Sequence, residues 1–98
     1  MFDKMKALLE MKSKMEQMKR ELENTTFEVR SSCGLVKVTM SGAQELKELK
    51  INGDIAKIDK AALENASRDA FNRAIKRSQE VAADKMKQVT GLNLPGLF

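Results

Sequence analysis

Apolar residues recur three and four apart along the first quarter of the chain, at Leu8, Met11, Met15, Met18 and Leu22. That spacing predicts an amphipathic helical arm over residues 1–23. Met1, Leu8, Met15 and Leu22 also fall every seven residues, so the same stripe is an a/d seam able to pair as a coiled coil over about three heptads. A helix lying on its own sheet satisfies the spacing equally well. After Asn24 the period changes to two. Phe27, Val29 and Ser31 alternate with Glu28 and Arg30, and Val36, Val38 and Met40 alternate with Lys37, Thr39 and Ser41. Each run reads as a half-buried strand.

Gly34 and Gly42 bracket the second of these strands, where turns are expected to need a backbone with positive φ. A third strand is expected from about Glu45 to Ile51. Its pattern is mixed, because Leu46 and Leu49 stand three apart as in a helix whereas Leu49 and Ile51 alternate. Asn52, Gly53 and Asp54 end it. The sheet therefore occupies residues 25–51. A second helix is predicted over residues 59–89, with Asp59 as its cap. Leu63, Ala70, Phe71, Ala74, Ile75, Ser78, Ala82, Met86 and Val89 gather on one side at 100° per residue, and Asp69, Arg73, Lys76, Glu80 and Lys87 on the other. Residues 90–98, with Gly91, Pro95 and Gly96, read as a mobile tail or short docking strap.

The expected fold is thus α+β in a single domain: long helix, three-stranded antiparallel sheet, long helix. Ninety-eight residues bury only a modest share of their surface, and a three-stranded sheet leaves two edges unpaired, so a homodimer is expected on size alone. The seam at Leu8, Met11, Met15, Met18 and Leu22 is its candidate interface. The five methionines of the first helix keep that surface pliable, for a helix pair or a partner groove.

Composition removes most chemical functions. The chain has no histidine or tyrosine and one cysteine, so the common nucleophile and base pairs are missing and no enzyme is expected. No Cys/His cluster or oxygen-rich loop suggests a metal, and Gly42 and Gly53 match no nucleotide-binding loop, so no cofactor and no small-molecule substrate are expected. Cys33 is read as a small filler beside a turn, with no internal disulfide, as suits a reducing cytosol. The first ten residues lack a secretory apolar core, no run is long and apolar enough for a membrane span, and no membrane partner is expected.

Basic side chains remain. Eighteen Lys and Arg stand against fourteen Asp and Glu, a formal net charge of +4. Four bases, Lys12, Lys14, Lys19 and Arg20, surround the lone acid Glu16, and Arg68, Arg73, Lys76 and Arg77 surround Asp69. These positions are candidate contacts for the phosphates of duplex DNA, most directly Lys12, Lys14, Lys19, Arg20, Arg73, Lys76 and Arg77. From spacing alone they are also solvated helix faces with ion pairs to Asp69 and Glu80. Phe27 and Phe71 are needed by the core, so no aromatic platform is available for single-stranded bases.

The run Gly34, Leu35, Val36, Lys37, Val38, followed by Ser41, Gly42, Ala43, by Leu63 and Glu64, by Ala70, Phe71, Asn72 and Ala74, by Lys85 and Met86 and by Leu94, Pro95, Gly96, resembles the YbaB/EbfC family of bacterial nucleoid-associated DNA-binding proteins. Ser32 replaces a common glycine, Ser41 a common asparagine, and Asn52–Asp54 a frequent aspartate-proline turn; these departures touch turns and leave the arms intact. The resemblance implies an intertwined, tweezer-like homodimer that binds double-stranded DNA and alters its conformation in the cytoplasmic nucleoid. It supplies no basic contact residues, which rest on charge alone. The competing expectation is a non-enzymatic adaptor whose methionine seam grips a partner helix.

Overall fold

A computed structural model describes residues 2–90, with side chains described from Asp3 to Gln88. The predicted tail from Gly91 onward, Met1 of the heptad and the side chain of Val89 lie outside the described residues. Helix α1 (Phe2–Asn24) leads into strands β1 (Thr26–Arg30), β2 (Val36–Ser41) and β3 (Leu46–Ile51), then a single 3₁₀ turn (Ile55–Lys57) and helix α2 (Lys60–Thr90). The strands form an antiparallel meander in the order β1-β2-β3. Asp59 caps α2 as expected, its Oδ2 accepting the Ala62 N–H at 3.1 Å.

The ambiguous spacing of β3 has a specific cause. Leu46 pairs with Met40 and Glu48 with Thr39, a register shift that leaves Lys47 as an extra residue in a β-bulge. Leu46 and Leu49, three apart in sequence, therefore both face inward. What reads as a helical step is a bulged strand.

The central strand supplies the core. Val36 and Val38 are completely buried and Met40 nearly so, packed under Ala66, Ala70 and Ala74 of α2, with Phe27, Val29, Leu35, Leu63 and Phe71 at the margins. Small alanines allow the helix backbone to lie close to the sheet. Beyond the sheet a second cluster forms from Met18 and Leu22 of α1 with Ala82 and Met86 of α2, flanked by Val81. The C-terminal halves of the two helices thus pack on each other, and the molecule is a rod 67 × 21 × 16 Å in extent.

Ala66, Ala70, Ala74, Ser78, Ala82 and Met86, all buried, stand four apart. At 100° per residue each such step advances by about 40°, so the buried stripe winds about 200° around α2 between its ends. That rotation lets one straight helix face the sheet first and α1 afterwards. It also corrects the expected stripe. Ile75 is an exposed residue, because it stands about 100° around the helix from Ala74, ahead of the buried line at that level.

Two other expectations change. Gly34 has φ +76°, but Gly42 does not take a positive φ; the left-handed residue of the β2–β3 turn is Gln44, at φ 63°. Gly42 is needed for close approach, since a Cβ there would lie 2.8 Å from Leu22 Cδ2 and 3.3 Å from the Leu22 carbonyl. Cys33 is exposed, so it fills no packing space. The buried residue of that turn is Ser31, whose Oγ accepts the Val36 N–H at 3.1 Å.

Candidate nucleic-acid interface

On α1, Lys12, Lys14, Lys19 and Arg20 are all exposed, and none forms an ion pair among the described residues. Helical geometry separates them. Lys12 and Lys19, seven residues apart, stand two turns from each other on one flank of the apolar seam, Lys14 falls on the opposite flank, and Arg20 lies on the face turned away from the seam. Met18 and Leu22 pack α1 on α2 at the level of Lys19 and Arg20, while Lys12 and Lys14 stand on the exposed turns before that contact.

The second cluster is differently built. Arg73 Nε contacts both Asp69 carboxylate oxygens, at 3.0 and 3.1 Å, and Arg77 Nη1 lies 3.1 Å from Glu80 Oε2. Lys76 points away from the packed face and has no ion pair among the described residues. The structure therefore brings Arg73, Lys76 and Arg77 together on one stretch of α2, with two of the three already facing carboxylates. Such exposed pairs are weak and screened by salt, so a phosphate can compete for either arginine.

Asp69 is not the outward-facing acid that its spacing suggested. Its Oδ2 also accepts the Ser32 backbone N–H at 2.7 Å, tying the β1–β2 turn to α2. That hydrogen bond, with the Arg73 guanidinium second, holds the Asp69 carboxyl below its ordinary pKa of 3.8. The only sequence signal for this role is a single acid inside a basic stretch. Ser31 in the same turn lowers the Cys33 thiol pKa, its hydroxyl lying 3.5 Å from Sγ.

The seam residues divide. Met18 and Leu22 are buried against the chain's own α2, while Leu8, Met11 and Met15 remain exposed. A second apolar surface is open on the sheet, where α2 covers β1 and β2 but leaves Leu46, Leu49 and Ile51 of β3 exposed. Among the described residues no helix is long and apolar enough to cross a membrane.

The same helix–meander–helix arrangement occurs in the crystal structure of an uncharacterized Helicobacter pylori protein, with a TM-score of 0.75, 26% sequence identity, and coverage of 90% of this chain and 95% of that one. A nucleoid-associated protein of Dictyoglomus turgidum is 37% identical over 100 aligned residues, covering 99% of this chain and 96% of its own. Another, from Thermoanaerobacter pseudethanolicus, is 36% identical over 91 residues, which span 91% of this chain and 82% of that protein. A third, from Clostridium acetobutylicum, is 38% identical over 85 residues, covering 85% and 76%. The family model for YbaB/EbfC DNA-binding proteins matches residues 1–93, both helices and the whole sheet between them, and the chain belongs to that family.

Proposed function

We propose that this protein is a nucleoid-associated protein of the bacterial cytoplasm that binds duplex DNA as a homodimer, chiefly through backbone phosphates, and alters the conformation of the DNA it holds. Roles in nucleoid organisation, gene regulation and DNA protection follow from that activity. The observation that carries this reading is the set of exposed bases on α1, Lys12, Lys14, Lys19 and Arg20, which form no ion pair among the described residues. Cations on a rigid helix neutralise phosphates without reading bases, since phosphate contacts position a protein on the duplex but carry no sequence information. Arg73, Lys76 and Arg77 extend the contact. Two copies would carry +8, twice the +4 of one chain, which steers a polyanion toward them.

The homodimer is supported by apolar surface that one chain leaves open. Leu8, Met11 and Met15 continue the line of Met18 and Leu22 beyond its intramolecular contact, and Leu46, Leu49 and Ile51 continue the sheet core past the edge of α2. A second copy covers both kinds of surface with matching chemistry.

Titration with unrelated duplexes at several salt concentrations tests the reading. If a dimer neutralises about five phosphates, log affinity falls against log salt with a slope of roughly −4 to −5, similar for every duplex. A slope near zero, or no binding, removes the phosphate mechanism. The exposed Leu8, Met11 and Met15 then favour the second reading, a non-enzymatic adaptor that grips a partner helix, and co-purification of a defined partner would identify it.

A further inference from the structure

The strand registers align three cations that lie far apart in sequence. Arg30 pairs with Lys37, and Lys37 with Lys50, so the three stand side by side across β1, β2 and β3. They occupy the outer face of the sheet, opposite the inward row of Val29, Val38 and Leu49. Like charges directly opposite on neighbouring strands repel and cost stability. Compensation is partial. Lys37 Nζ lies 3.7 Å from Glu28, a long contact, Lys50 Nζ is 3.0 Å from Glu48 in its own strand, and Arg30 has no ion pair among the described residues.

This face is open. Arg30, Lys50, Glu28 and Glu48 are all exposed, the Lys37 side chain between them is 20% exposed, and α2 packs on the other side of the sheet. A second copy drawn to the uncovered apolar residues of β3 would also sit on that other side. Two strand spacings set the row about 10 Å wide, within reach of consecutive phosphates on one strand of a duplex, which follow each other about every 3.4 Å of helix axis. Glu28 and Glu48, in the next outward row, would repel phosphates lying beyond the cations. The face therefore favours one line of backbone over a broad anionic surface.

We propose that Arg30, Lys37 and Lys50 form a second phosphate-contact site, on the outer sheet face, for duplex nucleic acid. The proposal rests on the duplex-binding reading above and adds a surface that neither helix supplies. The cost of aligning three like charges is offset when phosphates occupy the row.

The test compares the parent chain with Arg30→Gln/Lys50→Gln by duplex titration at several salt concentrations, thermal melting, and acetylation footprinting of lysines by mass spectrometry. The variant should melt at the same or a higher temperature because a repulsion is removed. Its affinity should fall roughly five- to tenfold at low salt and its salt slope should flatten by about 1 to 2 for each subunit whose sheet face engages the duplex. In the parent, duplex should protect Lys37 and Lys50 from acetylation. Unchanged affinity and slope in the folded variant, with both lysines equally reactive with and without duplex, would overturn the sheet site while leaving the helix contacts standing. A parent that binds no duplex at any salt concentration overturns both readings together.

Discussion

The backbone N–H of Ser32 donates to Asp69 Oδ2 at 2.7 Å across 37 residues of chain, and the same carboxylate receives the Arg73 guanidinium. One acid thus anchors the β1–β2 turn to α2 and partly occupies a cation nominated for DNA.

A pH dependence follows from that anchor. The Asp69 pKa is lowered on folding from an ordinary value of 3.8. Its stabilisation is therefore fully present above the unfolded pKa and is lost as pH falls through the folded one. Thermal melting between pH 7 and pH 2 should show a decline beginning near about pH 4, smaller in Asp69→Asn than in the parent. At pH 7 the variant should melt a few degrees lower, yet bind duplex as tightly or about twofold more tightly, because Arg73 is released. Lower affinity in the folded variant would assign Asp69 a direct part in the interface.

Neutralising the exposed cations of α1 separates binding from folding. Lys12→Gln/Lys19→Gln should leave the circular-dichroism spectrum unchanged, weaken duplex binding roughly tenfold at low salt, and flatten the salt slope by about 2 to 4 in a dimer, in proportion to the phosphates lost. Charge reversal of Arg73 and Arg77 is a harsher test. It sets new acids beside Asp69 and Glu80, so part of its effect would come from repulsion within α2.

The two parts of the methionine seam should respond differently. Met18 is buried against α2, and Met18→Ala should cost about 2–4 kcal/mol in denaturant unfolding through the cavity it leaves. Met11 is exposed, so Met11→Glu should preserve the helical spectrum and shift the mass measured by light scattering toward the monomer. An intact dimer in that variant would move the contact between copies to Leu46, Leu49 and Ile51.

Gly42→Ala should destabilise the fold by about 1–3 kcal/mol, the usual range for forcing extra carbon into a packed site. The new Cβ would meet Leu22 Cδ2 at 2.8 Å and Val81 Cγ1 at 3.1 Å. Both side chains can shift, but the Leu22 carbonyl at 3.3 Å belongs to the backbone and moves only with α1. Urea unfolding of parent and variant gives the difference directly.

Cys33 is exposed beside Ser31 with a lowered thiol pKa. Ellman's reagent should therefore label it in the folded protein without denaturant. Cys33→Ala should leave both melting temperature and duplex affinity unchanged under reducing conditions, because no packing depends on the side chain.

Periodicity alone carried the element order. A period of two in Val36, Val38 and Met40, steps of three and four in α1, and the cap at Asp59 are local signals, set by how side chains project from a helix or a strand. The charge clusters on the two helices were legible for the same reason. The bulge at Lys47 was not, since it exists only as a relation between β2 and β3. Nor was the fate of Met18 and Leu22 against that of Leu8 and Met11, residues of one seam separated by where α2 happens to run. Asp69 takes its tether from a turn 37 residues away. Arg30, Lys37 and Lys50 become neighbours through strand register, which links distant residues by backbone hydrogen bonds that no local pattern encodes. Which bases are free and which are paired is accordingly a property of the folded chain.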